Sequence, residues 1–434
     1  MNFEESQSYL YSLGNEVETM KLGLENITTL LTALGGPHNK YKKVQIAGTN
    51  GKGSVCAFLD SICREAGIRT GLYTSPHLVS IIERIKIDGA DIAEDEFARI
   101  ATRVRETAES LLSDGKLAYR PTFFEQVTAI ALLAFAGHNI ELAILETGLG
   151  GRFDAVTAAN AEITAITRID LDHQEYLGET IEEIAAEKAA IIREDSSVIV
   201  GRQSEKAMSV ILDRCRRAGV TPNFEIYQPW IVIPSGPETV IVEITRSIYS
   251  DVCLGLTGKH QIENAEIAIN IVQSLKYDLG IDIESSGAIV PGLENARHPG
   301  RLEYIGQFLL DGAHNPAGAR ALSSYLEDSV RVPITLIFGA MREKAVNEIA
   351  AILWPRADKI IFTRPSNSRA LTADELFQAK PESFDEVKII RTDTVAEAIG
   401  KARAFTSEDG VIVVTGSLYL VGEVRQALHS LSSV

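Results

Sequence analysis

The sequence predicts an α/β protein built on mainly parallel sheets and divided into two successive domains. Two observations carry this. Short apolar runs such as KVQIAG (43–48), IELAILETG (140–148) and SVIVG (197–201) alternate with longer stretches of helical periodicity, and parallel strands need such crossover helices between them. The alternation then starts afresh after ENARHPGRLEYIG (294–306), where Pro and Gly interrupt a helical stretch. The expected domains are 1–297 and a smaller 298–434.

KVQIAG reads as a buried strand, and SVCAFLDSICREAG (54–67) as the helix after it, stopped by Gly67. FEQVTAIALLAFAG (124–137) is a helix leading into the strand IELAILETG. AEITAITRI (161–169) gives a third strand, TIEEIAAEKAAIIR (180–193) a helix with Thr180 as N-cap, and SVIVG a further strand. In the second domain QFLLDGAHN, ITLIFGAM, KIIFTRP, EVKIIRT and VIVVTGS supply enough strands for a separate sheet.

The 434 residues allow two or three domains, and 45% hydrophobic with 23% charged residues is ordinary for a globular chain. A formal charge of −17 argues against nucleic acid or an anionic membrane as partner. The polar start MNFEESQSYLYSLG has no leader-peptide pattern, and AIALLAFAG is too short to span a bilayer. Four cysteines, Cys56, Cys63, Cys215 and Cys253, show no metal or disulfide spacing, so buried reduced thiols in a cytoplasmic protein are expected.

The stretch AGTNGKGS (47–54) lies between a strand and a helix, the setting a phosphate-binding loop requires. Backbone N–H groups and the helix N-terminus favour an anion there, and Lys52 adds a point charge. The usual motif G-x-x-x-x-G-K-[ST] places a metal-binding hydroxyl directly after the lysine. Here Gly53 stands in that position. Ser75, in YTSPHL, is one candidate for the displaced hydroxyl, an ordinary Ser–Pro turn being the alternative. Glu146 ends a strand before a glycine cluster, where ligands of open α/β sheets bind, and suits Mg²⁺ or a plain cap. His173 follows the third strand, Lys188 lies among apolar helix residues, and Asn264 falls on a helix near the phosphate side. Structural roles remain open for all three. Asp311 and His314, in LLDGAHNPAGARAL, again close a strand in the second domain.

Taken together, GTNGKGS, YTSPHL, ERI, FFE, LETGLGGRFDA, LDHQEYLG, EKAAIIR, GKHQIENA, PGRLE, DGAHNPAGA, FGAMREK and TGSLYLVGE resemble the folylpolyglutamate synthase/dihydrofolate synthase family, within the Mur-type ADP-forming amide ligases. The blocks run in order from LGLENI (22–27) to residue 424. The resemblance implies a P-loop ATPase domain of Mur-ligase type followed by a smaller Rossmann-like domain. It implies that ATP activates a folate or dihydropteroate carboxylate as an acyl phosphate, which the amino group of L-glutamate attacks.

Carried over residue by residue, the resemblance gives Gly48, Thr49, Asn50, Gly51, Lys52, Gly53 and Ser54 the phosphates of ATP. Asn264 takes the adenine, Arg301 the phosphates, Asp311 the ribose, and His314 the nucleotide or the incoming glutamate. Ser75 and Glu146 would ligate one Mg²⁺, and Glu146, His173 and Lys188 a second, Lys188 as a CO₂-derived carbamate. Lys52, His173, Lys188 and His314 form the implied catalytic set. Phe124, Asp154 and Ala155 match the folate or pteroate side, and Arg84, Ser417 and Tyr419 the glutamate side. A monomer is implied.

Two departures stand out. Val156 and Thr157 replace the family's usual Thr-Asn pair on the pteroate side, and Arg342-Glu343 precedes Lys344 where an Asp is usual. A Mur-type peptidoglycan precursor ligase is the nearest alternative, but only 47 residues precede Gly48, too few for its UDP-binding domain. A regulatory P-loop ATPase without ligase activity would explain the loop and Glu146 but not the second-domain motifs.

Overall fold

The computed structural model describes residues 1–14, 23–222, 233–234, 240–244, 247–379 and 389–432. They form two compact units. One comprises Met1–Gly255 with Ile262–Arg297, the other Leu256–Gln261 with His298–Val434.

The first unit holds a seven-stranded sheet of β1 (Lys42–Ala47), β2 (Thr70–Tyr73), β3 (Ile85–Ile87), β4 (Ala90–Asp91), β5 (Leu142–Glu146), β6 (Ile163–Ile166) and β7 (Ser197–Val200). The spatial order is β4-β3-β2-β5-β1-β6-β7. Strands β2, β5, β1, β6 and β7 run parallel, and β3 with β4 adds an antiparallel edge. Both faces are covered by helices, which is why β5 reads as an unbroken apolar run rather than an alternating one. One face packs Phe97, Ile130 and Phe135 from the helices Glu94–Ser113 and Phe123–Gly137. The other packs Ile184, Ile191 and Ile211, from the helices Ile181–Ala189 and Glu205–Ala218 and the turn between them. Each such side chain contributes about 1.5–3 kcal/mol on burial.

Local signals fix the helix starts. Thr122 and Glu125 make a reciprocal capping box, with Thr122 N donating to Glu125 Oε2 at 2.7 Å, and Thr180 with Glu183 makes another. The second of these helices stops at Ala189, short of the expected Arg193. Arg152 N–H donates to Glu187 O at 3.0 Å and so occupies the carbonyl that a further helical turn would use.

A small antiparallel sheet of β8 (Ile233–Pro234), β9 (Val240–Ile244) and β10 (Ser247–Val252) was not anticipated from the sequence. The second unit carries β11 (Glu303–Ile305), β12 (Phe308–Leu310), β13 (Ile334–Phe338), β14 (Lys359–Phe362), β15 (Ile389–Arg391) and β16 (Val411–Thr415) in the order β11-β12-β16-β13-β14-β15. All but β11 are parallel. Its core centres on Trp354, whose ring lies 5.7 Å from Phe338 and 4.9 Å from Phe362. Residues 386–388 of EVKIIRT and Leu22 of LGLENI lie outside the described residues.

The cysteine expectation needs one correction. Cys56, Cys63 and Cys215 are buried free thiols, but Cys253 is exposed, just past the end of β10. Among the described residues no helix is long and apolar enough to cross a membrane.

Candidate active site

The glycine loop leaves the carboxyl end of β1 and enters the helix Lys52–Glu65. Gly48 (φ +152°) and Gly51 (φ +92°) are required by close approach as well as by backbone angle. A Cβ on Gly48 would lie 1.8 Å from Thr167 Oγ1, and one on Gly51 2.3 Å from Asn264 Oδ1. The loop after β6 pins this turn from below. Thr49 and Asn50 N–H groups donate to Arg168 O, Thr167 Oγ1 donates to Asn50 O at 2.7 Å, and Thr49 Oγ1 donates to Asp170 O at 2.9 Å. The Lys52 ammonium folds back onto Gly48 O and Thr49 O at 3.1 and 3.2 Å. Gly53 and the buried Ser54 open the helix. The result is a preorganised helix N-terminus with a cation over it, a seat for an anion.

Asn264 belongs to the helix His260–Leu279 and meets this loop at Gly51. Glu146 ends β5 beside Ile46 of β1 and is buried. Ser75 N–H donates to Glu146 Oε2 at 3.1 Å, which brings the displaced serine and the strand-end carboxylate together. Beneath them, burial and the Glu146 charge push the Cys56 thiol well above its ordinary range, so it is no thiolate.

Lys188, in the last turn of the helix Ile181–Ala189, is buried. Desolvation first, then repulsion from Lys52, bring its ammonium down to about 7, with Asp172 and Asp154 opposing. His173 has φ +50°, sits directly before the short helix Gln174–Leu177 and lies 4.0 Å from Asp172. Among the described residues no three His, Cys, Asp or Glu side chains gather into a ready-made metal site. Glu146, Ser75 and His173 are therefore too few for an all-protein cage, although Glu146 and Ser75 already adjoin.

Phe124 packs on Gly148, where a Cβ would come within 2.6 Å of its ring, and lies 6.1 Å from the Tyr73 ring. Asp154 accepts from Leu149 N and Val156 N, both at 2.9 Å, and starts the turn at Ala155 that closes the glycine cluster. The departure at Thr157 has a local reason. Its hydroxyl donates to Gly151 O and accepts from Gln45 Nε2, each at 2.8 Å, fastening the cluster to β1. Sequence reasoning missed Gln45, although a polar residue amid the apolar β1 was a readable signal. It also missed His77, which accepts from Arg84 Nε at 2.8 Å while the Arg84 guanidinium lies over the Phe123 ring.

In the second unit the end of β12 presents Asp311, whose two oxygens accept from Leu302 N and Ala313 N at 3.1 and 3.0 Å. Burial nevertheless pushes its carboxyl up, against the pull of Arg301. Leu302 has φ +47°, a strained angle for a branched residue, and Asp311 holds it there. Arg301 crowds Gly312, and His314 Nδ1–H donates to Gly312 O at 2.8 Å. Past β16, Ser417 is buried and its Oγ accepts from Tyr419 N at 3.2 Å, while Tyr419 is exposed and meets Arg369 Nη2 through its hydroxyl at 3.4 Å. The expected site residues thus fall into two groups, one in each unit, with Glu146 and Asp311 at strand ends and Lys188, Asn264 and Phe124 on helices.

Comparisons with known proteins identify the family. Residues 46–272 match the Mur ligase middle domain and residues 300–418 the Mur ligase glutamate ligase domain. A dihydrofolate synthase/folylpolyglutamate synthase of Bacillus subtilis is 32% identical over 439 residues, covering 98% of this chain and 99% of the relative. A probable bifunctional folylpolyglutamate synthase/dihydropteroate synthase of Haloferax volcanii is 33% identical over 434 residues, 98% of this chain and 50% of the relative. The chain thus spans about half the length of that archaeal protein. The crystal structure of Mycobacterium tuberculosis folylpolyglutamate synthase complexed with ADP superposes with a TM-score of 0.88 at 30% identity, covering 98% of each chain. The crystal structure of a bifunctional folylpolyglutamate synthase/dihydrofolate synthase with Mn, AMPPNP and L-glutamate bound gives 0.85 at 26% identity, over 99% of this chain and 98% of that one. The chain belongs to the folylpolyglutamate synthase/dihydrofolate synthase family of Mur ligases.

Proposed function

We propose that the protein joins L-glutamate to the carboxylate of a folate, and to that of dihydropteroate, with ATP as the activating substrate. The observation that carries this reading is the convergence, within one unit, of an anion-holding loop, the adjoining pair Ser75 and Glu146, and a buried lysine next to Lys52. A carboxylate is a poor acyl donor. Transfer of the γ-phosphoryl group makes it an acyl phosphate and releases ADP. The glutamate amine then attacks the carbonyl carbon and loses a proton, the amide bond forms, and phosphate leaves carrying one of the two former carboxylate oxygens.

In this reading Lys52 and the N–H groups of Gly48 to Ser54 hold the β- and γ-phosphates, and catalysis is mainly positioning and charge neutralisation. Asn264 contacts the adenine from its place beside Gly51. Within the second unit, Arg301, Asp311 and His314 are assigned the nucleotide, and Ser417 and Tyr419 glutamate. Phe124, Asp154 and Ala155 line the folate side, and Arg84 pairs a substrate carboxylate. In this reading a divalent cation takes Ser75 and Glu146, a serine whose backbone N–H already donates to that buried carboxylate, and a second takes Glu146, His173 and Lys188. When bound, such cations neutralise charge during phosphoryl transfer. Lys188 becomes a carbamate, because a buried ammonium beside Lys52 is unfavourable and a carbamate supplies the oxygen donors that the set lacks. Native mass spectrometry of the metal-loaded protein tests this; a bare amine refutes it. A monomer in the cytoplasm completes the proposal.

The deciding assay is ADP release with dihydropteroate, dihydrofolate or tetrahydrofolate, each with and without glutamate. Release is expected only when a folate-type carboxylate and glutamate are both present. ATP turnover indifferent to either would favour a nucleotide switch instead.

A further inference from the structure

Gln45 has a place in the fold that the reaction above does not use. It lies in β1, opposite Leu145 of β5 and Thr164 of β6, and is only 1% exposed. Its amide nitrogen donates to Thr147 Oγ1 at 3.2 Å and to Thr157 Oγ1 at 2.8 Å. A count of protons fixes the orientation of that amide. Gly151 O can only accept, so the single hydroxyl proton of Thr157 goes to it, at 2.8 Å, and the group that faces Thr157 from β1 must be a donor. One buried side chain therefore holds residues 147–157 at both ends, directly after Glu146 and again at Thr157.

The folate-side groups hang between these two fastenings. Gly148 lies under the Phe124 ring, and Asp154 accepts from Leu149 N and Val156 N. The middle of the loop rests on the end of the helix Ile181–Ala189. A Cβ on Gly151 would lie 2.8 Å from Glu187 O and 2.9 Å from Lys188 O, and Arg152 Nε donates to Glu187 Oε1 at 2.8 Å. The Oε1 of Gln45 itself meets no donor among the described residues. A buried acceptor of this kind costs stability, so what the residue contributes are the two bonds of its nitrogen.

We propose that Gln45 is a positioning residue for recognition of the folate-type substrate. Buried beneath the loop, it acts through Thr147 and Thr157, whose fixed places set those of Gly148, Asp154 and Ala155. The proposal rests on the reading of Phe124, Asp154 and Ala155 as the folate side.

Steady-state kinetics with ATP, glutamate and each folate-type substrate varied in turn, together with melting curves, test this on the full chain. Phe124→Ala first identifies the folate-type substrate whose KM rises. Gln45→Met keeps the length of the side chain and gives up both donors. It is expected to raise that same KM about tenfold, the worth of a hydrogen bond, and to leave the KM for ATP within about twofold. The melting temperature should stay at or above that of the wild type, because the unserved acceptor is lost with the donors. Thr157→Val, nearly the same shape without the hydroxyl, reproduces the rise in KM, whereas Thr157→Ser, which keeps the hydroxyl, does not. The Val and Ser pair decides the matter even where Gln45→Met fails to fold. If Phe124→Ala moves no folate KM, the reading of the folate side fails and the proposal with it. The proposal alone is overturned if Phe124→Ala acts while Gln45→Met lowers only the melting temperature, if the ATP KM rises in step with the folate KM, or if Thr157→Ser behaves as Thr157→Val.

Discussion

The strand ends of the two sheets handle charge in opposite ways. In the first unit Glu146, Asp154, Lys188 and Arg84 are all buried. In the second, Asp311 is buried and held by backbone N–H groups, while the charged groups farther beyond the strands are solvated and paired with one another. Arg342 makes two bonds to Glu375, at 2.5 and 2.9 Å, and Arg369 reaches Glu343 at 2.8 Å. Exposed pairs of this kind contribute about 0–1 kcal/mol each, while a buried ion costs several kcal/mol unless its surroundings compensate. The contrast teaches where ligand charge is needed. The first unit keeps ionisable groups dry at a site suited to phosphate and divalent cations, which return the missing counter-charge. The second solvates most of its ions and ties its buried carboxylate, Asp311, to the backbone N–H groups of a fixed turn.

Four changes break or sharpen this contrast. Lys52→Ala removes the cation over the loop and is expected to lower ATP-dependent turnover about a thousandfold or more. Circular dichroism and the melting temperature should stay near wild type, because the ammonium bonds only to its own loop; turnover within tenfold of wild type would remove Lys52 from the phosphates. Glu146→Gln keeps an acceptor for Ser75 N–H but not the charge. The Mg²⁺ concentration for half-maximal rate should rise about tenfold to a hundredfold, and an unshifted metal titration would take Glu146 out of the site. Ser417→Ala, in the solvated unit, should raise the glutamate KM by only about three- to tenfold with kcat retained; a large loss of kcat instead would mean that the second unit acts on the chemistry as the first does.

The smallest effect concerns stability. Burial pushes the Glu266 carboxyl up to about 7; Arg202, with Nη2 3.8 Å away, opposes this and Glu263 adds to it. The folded value lies above the unfolded one, so this contribution is present in acid and is lost as pH rises through about 7. Glu266→Gln should therefore stabilise the protein by about 1–3 kcal/mol at pH 8 and by much less at pH 5. Melting curves at the two pH values check the sign, and an equal shift at both would show that Glu266 titrates normally.

Much of the fold was legible because it rests on local patterns. Short, mainly apolar runs between helical stretches marked β1, β5 and β6, and Thr180 marked its helix start. The end of that helix was not legible, because Arg152, from another part of the chain, takes the Glu187 carbonyl. The short β8–β10 sheet escaped notice because its strands are brief and antiparallel. The site residues could be named from motif and resemblance, yet Gln45 was passed over despite its place in a buried strand, and His77 because nothing local distinguishes a polar loop residue with a distant partner from one facing water.

The sequence by itself determined the alternation of strand and helix, the glycine turn before Lys52, and the acids that close β5 and β12. Only the tertiary structure decided that Asn264 meets Gly51, that Thr157 fastens the glycine cluster to Gln45, that His77 holds Arg84, and that Lys188 lies dry beside Lys52. The division has a physical cause. Periodicity and caps act within a few residues of chain, whereas hydrogen-bond partners and the loss of solvent around a charge arise only where remote segments converge.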